Sequence, residues 1–141
     1  MAIKIQPNQI QNLQQIEAVV AGPDDANRLF IIDGQFDSQV AAFSQGPSVI
    51  SQKETFTVLV GPVFTRKQFA QANATASFTK TGFSTSNATW QILGVDADWD
   101  DESGQVEVRI EAQADSAGAG KNATIGGFAF HVTILAAVPA A

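Results

Sequence analysis

Residues 88–113, ATWQILGVDADWDDESGQVEVRIEAQ, alternate apolar and polar side chains with few errors. Leu93, Val95, Ala97 and Trp99 share one parity, and Asp96 and Asp98 fall on the other. After Asp101-Glu102-Ser103-Gly104, Val106, Val108, Ile110 and Ala112 alternate with Gln105, Glu107, Arg109, Glu111 and Gln113. Successive side chains of a strand point to opposite faces, so this pattern describes two antiparallel strands with one dry and one wet face. Trp99 and Val106 must both face inward, and a four-residue loop ending in a left-handed Gly104 satisfies that. The expected inner pairs are Trp99–Val106, Ala97–Val108, Val95–Ile110 and Leu93–Ala112. The outer pairs are Asp96–Arg109 and Asp98–Glu107. A slip of one residue would turn Trp99 into water.

The alternation continues on both sides of this hairpin. Downstream, after a Gly-rich gap, Phe128, Phe130, Val132 and Ile134 alternate again. If that strand lies beside the hairpin, His131 comes next to Arg109, across a long 113–127 connection. Upstream, Gln68–Lys80 sets Ala70, Ala72, Ala74, Ala76 and Phe78 against Gln71, Asn73, Thr75, Ser77 and Thr79. Alanine favours helices, but the period of two is explicit here. Glu54–Phe64 reads as a strand with Phe56, Val58 and Val60 on one face, interrupted at Gly61-Pro62. Arg28–Asp33 is a compact apolar run ending at Gly34, which predicts a short strand buried on both sides.

The remaining segments are less regular. Ile3 and Ile5 before Pro7 suggest a short edge strand. Residues 8–20 fit a helical spacing (Ile10, Leu13, Ile16) and a strand spacing (Ile16, Ala18, Val20), and the β-branched end favours extended structure over 15–20. Val40–Phe43 fits a helical turn or a packed loop. Gly22–Asp25, Gly46-Pro47 and Gly82–Asn87 read as turns or loops.

Seven or eight strands follow. We expect an all-β, single-domain antiparallel β-sandwich over residues 1–141, immunoglobulin-like or jelly-roll-like, with a β-barrel as the alternative. The expected core is Phe30, Phe56, Val58, Phe78, Leu93, Val95, Val108, Ile110, Phe128, Phe130 and Val132.

A chain of 141 residues suits one domain with a core of its own. Charged residues are only 16% of it, against about 25% in globular domains, so neutral polar side chains cover the surface. The net charge of -6 and the scattered basic residues argue against nucleic acid and anionic membranes as partners. The apolar runs are too short to span a bilayer. There is no cysteine, which removes disulfides and thiolate chemistry. Residues 1–7 do not read as a signal peptide. The compartment stays open, and a virion or extracellular assembly suits the low-charge surface.

The sharpest cluster is acidic. Asp96, Asp98 and Asp100, with Glu107 eleven residues after Asp96, match part of the EF-hand ligand spacing. Asp101 stands where the loop needs Gly, and strands rather than helices flank it, so an EF-hand is excluded. A calcium ion held by Asp96, Asp98, Asp100 and Glu107 at the hairpin tip would relieve the repulsion between opposed Asp98 and Glu107. A solvated acidic turn that blocks edge-to-edge pairing explains the same residues.

Other motifs carry less. His131 is the single histidine, and no Gly-x-Ser-x-Gly elbow accompanies it. Trp90 is the residue to consider as a stacking platform for a sugar, with core packing as its ordinary role. Asn73-Ala74-Thr75, Asn87-Ala88-Thr89 and Asn122-Ala123-Thr124 are sequons that an Asn/Thr-rich chain produces by chance. The glycines at 118–127 lack the Lys and the helix of a phosphate loop.

The reading that results is a non-enzymatic structural or assembly protein (coat, decoration, tail or surface subunit). It would form a homo-oligomer or join an assembly partner, without a cofactor. The alternative is a carbohydrate- or protein-binding module, with or without calcium.

Overall fold

The computed structural model describes residues 2–20, 27–44, 46, 48–83, 88–118 and 121–137. The strands are β1 (Ala2–Ile5), β2 (Ile10–Val20), β3 (Asn27–Ser44), β4 (Ile50–Val60), β5 (Phe69–Phe83), β6 (Thr89–Trp99), β7 (Val106–Ser116) and β8 (Lys121–Ala137). A single 3₁₀ turn, Pro7–Gln9, joins β1 to β2. Two four-stranded sheets form, in the orders β1-β4-β7-β6 and β2-β3-β8-β5. The sheets stay open at their edges, so the architecture is a sandwich and not a barrel. Every pairing is antiparallel except β1 with β4, which is parallel.

The core lies between the two sheets, and β7 and β8, two of the four strands with neighbours on both sides, show the cleanest alternation. Val106, Val108, Ile110, Ala112 and Ala114 of β7 are fully buried, as are Ala123, Ile125, Phe128, Val132, Ile134 and Ala136 of β8. Aromatic rings join the layers. Phe128 sits 5.2 Å from Phe36, 4.9 Å from Phe56 and 5.8 Å from Phe78, centroid to centroid. Such offset and edge-on pairs add about 0.5–1.5 kcal/mol each beyond the area they bury. The small side chains of Ala114 and Ala123 leave room between the sheets for the rings of their cross-strand partners, Trp90 and Phe83.

The hairpin register is the expected one at Trp99↔Val106, Ala97↔Val108, Val95↔Ile110, Asp96↔Arg109 and Asp98↔Glu107. Leu93 departs from expectation. A bulge between Ile92 and Gly94 makes Ile92, not Leu93, the partner of Ala112. One extra residue flips the parity upstream of it, so Leu93 is 41% exposed while Trp90 and Ile92 turn toward the core. Of the other expected core residues, Phe78 and Val95 are half-buried and the rest are buried.

Four further expectations are corrected. The run at Arg28–Asp33 is not a short strand buried on both faces, because β3 continues through Gly34 to Ser44 and buries alternate residues. Gly34 marks a close approach rather than a stop: a Cβ there would lie 2.6 Å from the Phe130 ring. Val40 and Ala42 are buried strand residues of β3, not a helical turn. His131 does not lie beside Arg109, because β8 joins the other sheet between β3 and β5. The 113–127 connection is also short, since β7 runs to Ser116 and β8 starts at Lys121. The turn at Gly22–Asp25 and residues 84–87 of the 82–87 loop lie outside the described residues, as does Pro47.

Candidate functional site

β2 is an edge strand with the sequence IQNLQQIEAVV. Among the described residues, β3 is the only strand paired with it. Its outer edge therefore presents unpaired backbone donors and acceptors. An extra residue sits between Gln11 and Gln14, where Asn12 takes φ 53°. Asparagine tolerates this left-handed conformation better than most residues, and its Nδ2 donates to Gln35 Oε1 at 3.3 Å. Beyond the bulge, Gln14, Ile16, Ala18 and Val20 share the outer face of the sheet, while Leu13, Gln15, Glu17 and Val19 share the inner side.

The inner side of β2 is largely uncovered, and β1, an edge strand of the other sheet, is only four residues long. Leu13 and Val19 on this side are 55% and 59% exposed, and Ile16 on the outer face is 60% exposed. Glu17 is the one charge on β2, and Arg28 Nε lies 3.3 Å from its Oε1. A groove of about 250 Å³ runs under this edge, lined by Ile5, Ile10, Leu13, Ile32, Leu59 and Val60 among others.

The acidic hairpin tip is built differently. Asp100 Oδ2 accepts from the Ser103 hydroxyl at 2.6 Å and from the Ser103 N–H at 3.0 Å. The hydroxyl first and the backbone N–H second hold its carboxyl below the usual carboxylate range. Asp98 Oδ1 accepts from the Trp99 N–H at 2.8 Å. Gly104, at φ 76°, turns the chain so that its carbonyl accepts from Phe64 N at 2.7 Å and from Trp99 Nε1 at 3.1 Å. Asp96 is opposed to Arg109, and Asp98 to Glu107. Asp96, Asp98, Asp100 and Glu107 do not converge: no group of three or more His, Cys, Asp or Glu side chains among the described residues is arranged to hold a metal ion. The acids instead cap a turn and line an exposed sheet face.

Trp90 is not presented to solvent as a stacking platform. It is half-buried, its Nε1 donates to the Thr124 carbonyl of the opposite sheet at 2.8 Å, and Phe83 meets its ring edge-on at 5.6 Å. The Leu93 bulge is the cause, since it returns Trp90 to the inner parity.

Two polar clusters were not anticipated. On the outer face of the β2-β3-β8-β5 sheet, His131 Nδ1 lies 2.6 Å from Asp33 Oδ1. Pairing sets Gln14 against Asp33, Asp33 against His131, and His131 against Thr75, in one row across four strands. This row borders a shallow, half-exposed depression, not a pocket that excludes water. On the other sheet, Asp115 accepts from Ser51 Oγ, from Gln113 Nε2 at 2.8 Å, from Thr89 Oγ1 at 2.9 Å and from Gln91 Nε2 at 3.3 Å. Ser51 contributes most to holding the Asp115 carboxyl below its usual range. The carboxylate ties β4, β6 and β7 together. Alternation signals that each of these residues faces water; it carries no signal of who meets whom.

No family model, curated protein or solved structure matches the chain. Among the described residues no helix is long and apolar enough to cross a membrane.

Proposed function

We propose that the chain is a non-enzymatic structural subunit that assembles with copies of itself through the edges and faces of its sheets. The observation that carries this reading is β2, an eleven-residue edge strand with three large apolar side chains more than half exposed. Natural edge strands are normally blunted by lysines, prolines, bulges, inward charges or very short length; the bulge of β2 lies near its start, at Asn12, and leaves the stretch from Gln14 to Val20 regular. β2 has no lysine and no proline, and its single charge is held by Arg28. Burying Leu13, Ile16 and Val19 against a partner would contribute roughly 1 kcal/mol or more apiece at about 25 cal/mol per Å².

Further support comes from the low charge density and from the neutral amide and hydroxyl side chains of the outer faces. Such surfaces cost less to cover than charged ones, provided that their amides and hydroxyls find hydrogen-bond partners. A coat, decoration, tail or surface-layer subunit is the class of protein that uses both features.

Light scattering on the purified chain across a hundredfold range of concentration tests the proposal. A discrete mass that is a whole multiple of the chain mass is expected. A strict monomer at every concentration overturns it.

A further inference from the structure

We infer that a second copy of the chain pairs antiparallel with β2, with Ile16 on the two-fold axis, so that two four-stranded sheets become one of eight strands. This inference rests on the proposed self-association and names the surface and register that carry it.

A two-fold axis perpendicular to a sheet keeps its faces, so only residues of the same parity can be opposed across it. Three centres are available in the middle of β2. Centred on Glu17, the strand would set two carboxylates directly against each other, which is destabilising. Centred on Gln15, it would set Glu17 against Leu13 and leave the carboxylate against an aliphatic side chain.

Centred on Ile16, every pair matches. Ile16 meets the partner's Ile16 and Leu13 meets the partner's Val19. Gln15 meets the partner's Glu17, and Gln14 the partner's Ala18. The three exposed apolar side chains are then all covered by apolar side chains. The single carboxylate is opposed by an amide that can donate to it. The bulge at Asn12 ends the ladder just beyond Leu13. The bulge limits the length of the ladder, and the two-fold axis closes the contact, since each copy's β2 edge is taken up by the other's.

The chain has no cysteine, so single cysteines report the register directly. Opposed Cα atoms in antiparallel strands lie about 4.5–5.5 Å apart, inside the disulfide range of about 4.4–6.8 Å. Under mild oxidation, Ile16→Cys is expected to run largely at twice the monomer mass without reductant, and Glu107→Cys, on the far sheet face, to stay monomeric. Leu13→Cys and Val19→Cys are expected to cross-link when mixed and not separately, because like positions would be six residues, roughly 20 Å, apart.

Equal cross-linking of Ile16→Cys and Glu107→Cys overturns the inference. So does a failure of Ile16→Cys to cross-link while the wild type is oligomeric; in that case the assembly proposal stands and another surface carries it. A monomeric wild type with no cross-link overturns both. Ile16→Lys provides a second reading with the fold checked by circular dichroism, since this side chain is already exposed. It should dissociate the pair, and an unchanged mass would overturn the inference.

Discussion

The indole of Trp90 spans the sandwich: its Nε1, on β6, donates to the carbonyl of Thr124, on β8, at 2.8 Å. The two strands belong to different sheets, so one side chain sets the distance between the layers at the end where β5 and β6 meet. Trp90→Phe keeps a ring and loses the bond, which should cost about 1 kcal/mol in urea unfolding. Trp90→Ala also removes the packing against Phe83 and should cost roughly 3 kcal/mol. A loss below 0.5 kcal/mol for Trp90→Ala would show that this contact does not hold the layers.

Two glycines should respond oppositely to alanine. At Gly34 a Cβ would lie 2.6 Å from Phe130 Cζ and 3.1 Å from Ile10 Cγ2, and Phe130 is a buried ring with little room to yield. Gly34→Ala should destabilise by about 1–3 kcal/mol, as overpacking does. At Gly94 a Cβ meets nothing within 4 Å, and its φ is not in the left-handed region. Gly94→Ala should be neutral or stabilise by about 0.5 kcal/mol through the unfolded chain. Denaturant midpoints of the two variants, measured side by side, check the contrast.

Acid should weaken the fold in a defined window. Asp37, Asp100 and Asp115 each have a carboxyl held below its ordinary 3.8. For Asp37 the main cause is Lys80, whose Nζ lies 3.0 Å from Oδ2. A group with a depressed folded-state value contributes stability above its unfolded value and loses it as pH falls through the folded one. Stability from these three groups should therefore be constant near neutrality and decline below about pH 4. Asp115→Asn should shrink that acid limb, and Ser51→Ala should raise the Asp115 carboxyl toward its usual value. Carboxyl-carbon NMR titration reads the second effect, and an unchanged titration would remove Ser51 as its cause.

Asp98 and Glu107 oppose each other on an exposed face. Glu107→Gln removes the like-charge contact and keeps the shape, so it should stabilise by a few tenths of a kcal/mol. The gain should fade in about 1 M salt, where the screening length drops to roughly 3 Å. A gain that survives high salt would have another origin.

The two strands of the β6–β7 hairpin could be registered from residues 93–113 alone. Side-chain parity is a local property, and a four-residue loop leaves one register in which Trp99 and Val106 both stay dry. Parity also marked β5, where it overrode the helical preference of its alanines. It failed at Leu93, because a bulge is visible to alternation only as a fault of unknown position. It failed at Gly34 in another way: a glycine after an apolar run signals a turn locally, and only the Phe130 ring packed beneath it explains why the strand continues.

Of the candidate sites, Asp96, Asp98, Asp100 and Glu107 were readable as a cluster in sequence; alternation does put Asp96, Asp98 and Glu107 on one exposed face, but the four carboxylates do not gather around a common centre. The edge of β2 was the reverse. Its residues fitted helix and strand alike, and the exposure of Leu13 and Val19 follows from the place of β2 at a sheet edge, paired with β3 alone among the described residues. Local chemistry thus determined most of the strands and the way most of their side chains point, because both depend on neighbours one or two positions away. Which strands adjoin was decided only by the tertiary structure: His131 meets Asp33 across 98 positions. That choice depends on how two whole sheets bury their faces together, and no short stretch of the chain contains it.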